Sequence, residues 1–324
     1  MQILVSGGAG FIGSNMCDAL LALHHKVICL DNFLTGKKSN LSEALNHPNF
    51  SFIEGDIRDM KTCELAVKDC DNVLHLAALG SVPRSINDPI TTNDINIKGF
   101  LNMLTATKNA GIKRFVFASS SSTYGDSTAL PKIEHQIGRP LSPYAVTKYV
   151  GELYADVFAK NYGIEYIGLR YFNVFGRRQD PQGAYAAVIP KFISQLLNHE
   201  APVINGDGSF SRDFTYIDNV VELNIQALLT QNNSAINQIY NVACGEATSL
   251  NSLFTMLRDE MGMLDQGVKT IEPIYEKIRV GDIPHSLASI EKAKQLLHYA
   301  PEISVEEGIK RTVAWYVKDS KLNN

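Results

Sequence analysis

Tyr144 and Lys148 lie four residues apart in the segment 142–148, a spacing that puts both side chains on one face of a helix. A free tyrosine has a pKa of about 10 and is therefore a poor base near neutral pH. Because a nearby ammonium group favours the phenolate, we expect Lys148 to lower the pKa of Tyr144 and make it a proton acceptor. Such a pair is common on exposed helices, but here a serine run, Ser119 to Ser122, precedes it.

The turn that opens the chain has three glycines at three-residue intervals: Gly7, Gly10 and Gly13. This spacing permits a tight turn, a close approach of the backbone to a pyrophosphate, and close packing of a helix on a strand. The next apolar run ends in Asp31, 18 residues after Gly13, where an acid can accept hydrogen bonds from both ribose hydroxyls. Because a carboxylate repels a 2′-phosphate, the pattern favours NAD over NADP, and we interpret Lys37 and Lys38 as a solvated loop face.

Short apolar runs alternate with helical patterns through the first half of the sequence, which predicts an α/β fold. The residues that end these runs should meet at the carboxyl edge of one parallel sheet: Gly7, Asp31, Asp56, Ala77 and Ser120. We therefore predict a Rossmann-like, doubly wound parallel sheet with a smaller C-terminal α/β lobe. Residues 1–176 should form the dinucleotide-binding domain, to which the chain returns near 214–245, and 177–324 mainly the second lobe.

The composition limits the partners and the location of the protein. A net charge of −4 and a pI near 6.1 give no basic surface for nucleic acid. No apolar run approaches the ~20 residues that span a bilayer, and no signal peptide is recognisable, so we expect no membrane contact and a cytoplasmic location. The five cysteines lack C-x-x-C spacing, which predicts reduced thiols and no metal site.

The glycine turn, the serine run, Tyr124-Gly125, Tyr144-x-x-x-Lys148 and Arg170-x-x-Asn173 together resemble one protein family from end to end. It is the extended short-chain dehydrogenase/reductases that act on nucleotide sugars, and within them the bacterial UDP-N-acetylglucosamine 4-epimerases of the O-antigen type. The resemblance implies an isomerase of polysaccharide biosynthesis that uses NAD and forms a homodimer. It would interconvert UDP-GlcNAc and UDP-GalNAc through a bound 4-keto intermediate.

The resemblance also implies roles for individual residues. Ser120 would hydrogen-bond the sugar's 4-oxygen, Tyr144 would be the base, and Lys148 would hold the nicotinamide ribose. Besides Tyr144 and Lys148, the residues implied to bind the cofactor are Gly7, Gly10, Phe11, Ile12, Gly13, Asp31, Asn32, Gly36, Asp56, Ile57, Leu76, Ala77, Ala78, Asn96, Tyr171 and Val174. Besides Tyr144, those implied to bind the substrate are Ser81, Ser121, Ser122, Asn173, Ala187, Val188, Lys191, Asn205, Arg212, Arg279, Asp282 and Ser286.

Some of these residues could instead have purely structural roles. Arg279 and Asp282, which would grip phosphate and uridine ribose, could equally be a surface ion pair. His75 lies in a predicted buried strand and should be a packed, hydrogen-bonded histidine, whereas His135 should be solvated. The apolar stripe of the helix that follows Lys148 is wide, with Val150, Leu153 and Val157, so part of it could face another subunit.

Two positions help to choose among related reactions. In dehydratases of this family, Asp-Glu follows the catalytic residue, and decarboxylating relatives keep a glutamate; Ser121 and Ser122 stand there in this chain. Epimerases restricted to UDP-glucose and UDP-galactose have a tyrosine four residues after the carboxylate matched by Asp282, where this chain has Ser286. That serine leaves room for an N-acetyl group, but it could instead start the helix before Ile290. A UDP-glucose/UDP-galactose or UDP-uronate 4-epimerase, a net nucleotide-sugar oxidoreductase and a non-catalytic NAD-binding protein stay open.

Overall fold

A parallel sheet forms the centre of the protein, whose computed structural model describes residues 1–182, 186–278 and 283–323. The strands in these ranges are β1 (Gln2–Ser6), β2 (Lys26–Asp31), β3 (Phe50–Glu54), β4 (Asn72–His75), β5 (Arg114–Ser120), β6 (Glu165–Tyr171), β7 (Val174–Phe175), β8 (Val203–Asn205), β9 (Ser211–Arg212), β10 (Thr215–Tyr216), β11 (Gln238–Val242), β12 (Thr248–Ser249) and β13 (Ile274–Glu276). Seven of them form the central sheet in the order β11-β6-β5-β4-β1-β2-β3, with every neighbouring pair parallel. The predicted Rossmann-like sheet is confirmed.

Helices cover both faces of this sheet, as the apolar character of its strands requires. The α-helices of the described residues are α1 (Phe11–Ala22), α2 (Met60–Val67), α3 (Val82–Asn87), α4 (Pro89–Asn93), α5 (Phe100–Asn109), α6 (Pro143–Tyr162), α7 (Val188–Leu197), α8 (Ile217–Leu229), α9 (Leu250–Leu264), α10 (Glu291–Leu297) and α11 (Val305–Asn323). Ile3, Leu4 and Val5 of β1 are fully buried between the layers. In this part of the chain no helix is long and apolar enough to cross a membrane.

The local sequence explains where α6 begins and ends. The hydroxyl of Ser142 accepts a hydrogen bond from the backbone N–H of Ala145, and Pro143 occupies the first turn, where its missing N–H costs nothing. Gly163 ends the helix with φ 73°, a left-handed conformation that glycine adopts without steric cost. The helix carries Tyr144 and Lys148 in its first two turns.

The second half of the chain crosses between the central sheet and smaller sheets. β11 pairs with β6 and so belongs to the central sheet. The pairs β7–β10, β8–β13 and β9–β12 form three two-stranded sheets. α10 begins at Glu291 with Ile290 as its cap residue, so Ser286 does not start that helix, and that alternative was wrong. At the start of α11, Ser304 Oγ accepts from Glu307 N at 3.3 Å.

Candidate active site

A cleft of about 320 Å³ lies along the carboxyl edge of the central sheet, where the sequence predicted a dinucleotide. Its wall includes residues from the ends of β1, β2, β4, β5 and β6 and from the start of α1. Most of the predicted cofactor residues line it: Gly7, Gly10, Phe11, Ile12, Gly13, Asp31, Asn32, Asp56, Ile57, Leu76, Ala77, Ala78, Tyr144, Lys148 and Tyr171. The topology therefore brings together residues that are far apart in the sequence.

The glycine turn fits a phosphate group. A Cβ at Gly13 would lie 2.1 Å from the carbonyl oxygen of Gly7, and one at Gly7 would lie 2.6 Å from the backbone nitrogen of Ala77. Any side chain here would push the turn away from the helix and from β4. The cap residue of α1 is Gly10, and the first turn of α1 has no acidic residue and no side-chain cap. Its backbone N–H groups and the helix dipole can therefore receive an anion.

Asp31 is fixed at the end of β2 by backbone hydrogen bonds. Its Oδ2 accepts from Ala9 N at 2.9 Å and its Oδ1 from Phe33 N at 2.8 Å. Burial raises the pKa of this carboxyl above its ordinary value, and these hydrogen bonds oppose the shift. The nearby Lys37 forms an ion pair with Asp180 at 3.1 Å, so its charge is already engaged. Asp31 therefore presents a fixed carboxylate at the wall of the cleft.

Asp56, one of the predicted cofactor residues, belongs to a polar cluster at the same edge. Hydrogen bonds from Arg58 lower its pKa to about 2, and Asn32 Nδ2 donates to its Oδ2 at 2.9 Å. Three predicted cofactor residues do not line the cleft: Gly36, Asn96 and Val174. Instead, the amide of Asn96 bonds both backbone groups of Leu79 and the hydroxyl of Thr147. Asn96 therefore fixes Leu79, which lines the cleft, against Thr147 of α6.

Tyr144 and Lys148 lie where α6 approaches the end of β5. Burial raises the pKa of Tyr144 above its ordinary value, and a hydrogen bond from Ser120 opposes that shift. The predicted lowering of this pKa by Lys148 does not occur here. Lys148 Nζ donates to the carbonyl of Ala118 at 2.9 Å and lies 5.9 Å from the Tyr144 ring centroid, so burial dominates. Burial also lowers the pKa of Lys148 to about 8.

The two histidines lie as predicted. His75 is buried in β4, and its Nδ1 is 2.7 Å from Ser6 Oγ. Burial lowers its pKa to about 3, with a smaller contribution from the charge of Lys148, so the ring is neutral at physiological pH. His135 is exposed. In the described ranges, no group of three or more His, Cys, Asp or Glu residues could hold a metal ion.

Apart from Tyr144, the predicted substrate residues of the described ranges do not line the cleft. Ser120 caps a short helix at Ser121–Tyr124, and the hydroxyl of Ser122 is buried without a hydrogen-bond partner. Ser81 caps α3 with an unusual φ of 129°. Asn173 is exposed and donates to the carbonyl of Asp213 at 3.3 Å. A buried hydroxyl without a partner is costly, so Ser122 is available to a ligand.

The remaining substrate predictions fall in the second lobe. Arg212 Nη1 donates to the carbonyls of Ser211 and Pro284, and Ser286 N donates to the carbonyl of Ser211. The segment that carries Ser286 therefore lies against the strand that carries Arg212. Ala187 is the cap residue of α7, Val188 and Lys191 are in its first turns, and Asn205 ends β8. Arg279 and Asp282 lie outside the described residues.

Two acidic residues that sequence reasoning missed are buried beside the site. Glu152 forms an ion pair with Arg170 at 2.7 Å and accepts from Ser119 Oγ at 2.5 Å. The sequence held a signal for it, because a glutamate four residues after Lys148 continues the same helix face. Asp213 is fully buried and accepts from the backbone N–H groups of three residues: Cys244, Gly245 and Ala288. Nothing in the sequence around Asp213 indicates these contacts.

Comparisons with known proteins agree with this geometry. The profile of the NAD dependent epimerase/dehydratase family matches residues 3–243. A putative UDP-glucose 4-epimerase of Methanocaldococcus jannaschii is 41% identical, with 99% of this chain and all of the relative covered. The solved UDP-N-acetylglucosamine 4-epimerase of Methanobrevibacter ruminantium M1, in complex with UDP-N-acetylmuramic acid, has a TM-score of 0.91 and 42% identity over 98% of each chain. A UDP-glucuronic acid 4-epimerase of Bacillus cereus, solved with UDP-glucuronic acid and NAD, has a TM-score of 0.90 and 34% identity over 98% of this chain and 99% of that one.

Proposed function

Because the chain belongs to the NAD dependent epimerase/dehydratase family, we propose that it is an NAD-dependent UDP-sugar 4-epimerase that interconverts UDP-GlcNAc and UDP-GalNAc. The observation that carries the proposal is the contact between Tyr144 and Ser120 at the edge of the dinucleotide cleft, with Lys148 one turn away. A tyrosine, a serine and a lysine in this arrangement can move one proton at a carbinol next to a nicotinamide. The relatives described above are named as epimerases of three different UDP-sugars. The family match alone therefore does not select the N-acetylated pair.

In this mechanism Ser120 hydrogen-bonds the sugar's 4-oxygen, and Tyr144, as the phenolate, accepts the proton of the 4-hydroxyl. When bound, NAD supplies the acceptor, and later the donor, of the C4 hydride. Lys148 holds the nicotinamide ribose, and its ammonium group is anchored by the carbonyl of Ala118. The 4-keto sugar rotates about its diphosphate link while the second lobe holds the diphosphate. Tyr144 then returns the proton to the 4-oxygen of the other epimer. The protein's contribution is to hold these groups in position.

The residues after Ser120 favour epimerisation over elimination or decarboxylation. Ser121 and Ser122 offer hydroxyls, and neither can remove or deliver a proton as a carboxylate would. The unpartnered hydroxyl of Ser122 supports a polar sugar substituent as its ligand. A net oxidoreductase would need the reduced cofactor to leave after each turnover, and it would give a steady rise in the absorbance of reduced nicotinamide.

The acetylated sugars are favoured by Ser286. This half-buried residue lies beside the strand of Arg212, which the resemblance implies to bind the substrate, and it has no capping role in α10. A short side chain there leaves room for an N-acetyl group. UDP-glucose/UDP-galactose and UDP-uronates are the alternative substrates, since relatives with those activities are similar in sequence or structure.

We also propose that the protein is a cytoplasmic homodimer. Each chain has a dinucleotide-binding domain at 1–176 and a second lobe mainly at 177–324. Leu153 and Val157 of the predicted apolar stripe, together with Val146, are about half exposed on α6. An exposed apolar helix face suits contact with a second copy of the chain. Sedimentation equilibrium of the wild type and of a Leu153→Glu, Val157→Glu double variant tests this: we expect a dimer and a monomer, and a monomeric wild type would contradict it.

Replacing Tyr144 with phenylalanine tests the function. Tyr144→Phe should lower the turnover of UDP-GlcNAc by about 10²–10⁴-fold, as expected for the loss of a general base, with sugar binding little changed. Tyr162→Phe, at the exposed end of the same helix, is the matched control and should keep wild-type turnover. Near-normal turnover by Tyr144→Phe would contradict the assignment.

A further inference from the structure

One face of α6 contacts the end of β5 through three side chains spaced by four residues: Tyr144, Lys148 and Glu152. Their partners are three consecutive residues of the strand: Ser120, the carbonyl of Ala118, and Ser119. Tyr144 and Lys148 belong to the proposed chemistry, but Glu152 lies behind the cleft and has no part in it. Its contact therefore fixes the same helix against the same strand from the buried side.

The contact of Glu152 is a closed network. Its Oε1 accepts from Ser119 Oγ at 2.5 Å and from Arg170 Nε at 2.8 Å, and its Oε2 accepts from Arg170 Nη2 at 2.7 Å. Arg170 Nη1 donates to the carbonyl of Glu134 at 2.8 Å. None of these three side chains is more than 6% exposed, so water cannot replace a lost partner. The other titratable groups around the pair are Tyr124, Glu134, Tyr166 and Lys292.

We propose that Glu152 is a positioning residue for the reaction, because its carboxylate holds Ser119, and with it the adjacent Ser120, in place against Tyr144. The inference rests on the proposed function. Arg170 and Ser119 are paired across β6 and β5, so Glu152 fixes the ends of both strands at once. A buried guanidinium that loses its counter-charge must move or find another acceptor. Either movement shifts the strand end that carries Ser120.

The chain provides a matched control on the same two strands. Arg114 and Glu165 are also paired across β5 and β6, and they form an ion pair at 2.9 Å at the end of the sheet that lies away from the cleft. Removing the carboxylate of Glu165 also disturbs the β5–β6 pair, but it leaves the contacts of Ser120 intact. A general loss of stability would therefore affect both variants, whereas a positioning role affects only Glu152.

The kinetic test compares Glu152→Gln with Glu165→Gln. Glu152→Gln should lower kcat by about 10²-fold, the loss expected for a displaced catalytic group, with KM little changed. The acid limb of its pH–kcat profile should move to higher pH, because the hydrogen bond from Ser120 that opposes the raised pKa of Tyr144 is weakened. Glu165→Gln should keep wild-type kcat and pH profile. Equal losses of kcat in the two variants, or a fall confined to KM, would overturn the proposal.

A second measurement needs no sugar and no turnover. For each protein, the ultraviolet titration is also recorded with Tyr144→Phe added. The difference between the two titration curves isolates the ionisation of Tyr144. Its midpoint should be higher in Glu152→Gln and in Ser119→Ala than in the wild type. Ser119→Ala removes a single hydroxyl, so it serves if Glu152→Gln does not fold. Unchanged midpoints would overturn the positioning role, and they would do so whether or not the wild type epimerises UDP-sugars.

Discussion

Replacing Asp213 with asparagine should change how the stability of the protein depends on pH. This carboxyl group is fully buried, and burial raises its pKa from the ordinary value of 3.8 to about 6, even though three backbone N–H groups oppose the shift. The donors are at 2.9 Å, 3.1 Å and 3.2 Å, and they come from two segments that follow β11 and precede α10. Asparagine has nearly the same shape but does not titrate.

The magnitude follows from proton linkage. Because the folded-state pKa lies above the unfolded value, the folded chain binds the proton first as the pH falls. The stabilisation by this group is therefore complete below pH 3.8 and is lost as the pH rises through about 6. With these two pKa values, the contribution of Asp213 to the free energy of unfolding is about 1.4 kcal/mol greater at pH 5 than at pH 8. Asp213→Asn lacks that contribution at both pH values.

Urea denaturation of both proteins at pH 5 and pH 8 measures the effect. The wild type minus Asp213→Asn difference in the free energy of unfolding should be about 1.4 kcal/mol larger at pH 5 than at pH 8. Taking the difference between the two pH values removes the pH-independent cost of placing the asparagine amide opposite a backbone N–H. Asp69→Asn, at an exposed carboxylate, is the control for the loss of one charge. A pH-independent difference for Asp213→Asn would refute the reasoning, as would a change of opposite sign.

Three further predictions concern the ligands. Asp31→Ala should weaken the binding of NAD by about 1–3 kcal/mol, as measured by calorimetry, and reduce the difference between the affinities for NAD and NADP. Equal affinities of the wild type for NAD and NADP would contradict the role of the acid. Gly13→Ala should prevent NAD binding in the same assay, since its Cβ would lie 2.1 Å from the Gly7 carbonyl oxygen. Ser286→Tyr should abolish turnover of the acetylated sugars while activity on UDP-glucose survives, and equal loss on both substrates would show that Ser286 is not the gate.

The sequence predicted the parts of the fold that depend on local pattern. The apolar run before Gly7 and the one that ends in Asp31 form β1 and β2, and the segment with Tyr144 and Lys148 is helical, as their spacing predicted. Parallel strands that end at one edge also explain why the cleft lining could be predicted from scattered residues. These features depend on hydrogen bonds and periodicity within one segment or one sheet.

The parts that sequence reasoning missed depend on the relative placement of segments far apart in the chain. Lys148 was expected to lower the pKa of Tyr144, but its ammonium group bonds the carbonyl of Ala118, and burial raises that pKa. Asp213 receives its hydrogen bonds from residues 31 to 75 positions away. Glu152 could have been found from its place on the helix face, but its partner Arg170 could not.

The central claim is tested most directly by incubating the purified protein with UDP-GlcNAc without added NAD. If NAD is retained and regenerated in each turnover, UDP-GalNAc should form until both epimers are at equilibrium, with no net rise in the absorbance of reduced nicotinamide. A steady rise in that absorbance would identify a net oxidoreductase instead. No product, even after NAD is added and with UDP-glucose and UDP-glucuronate also tried, would contradict the account.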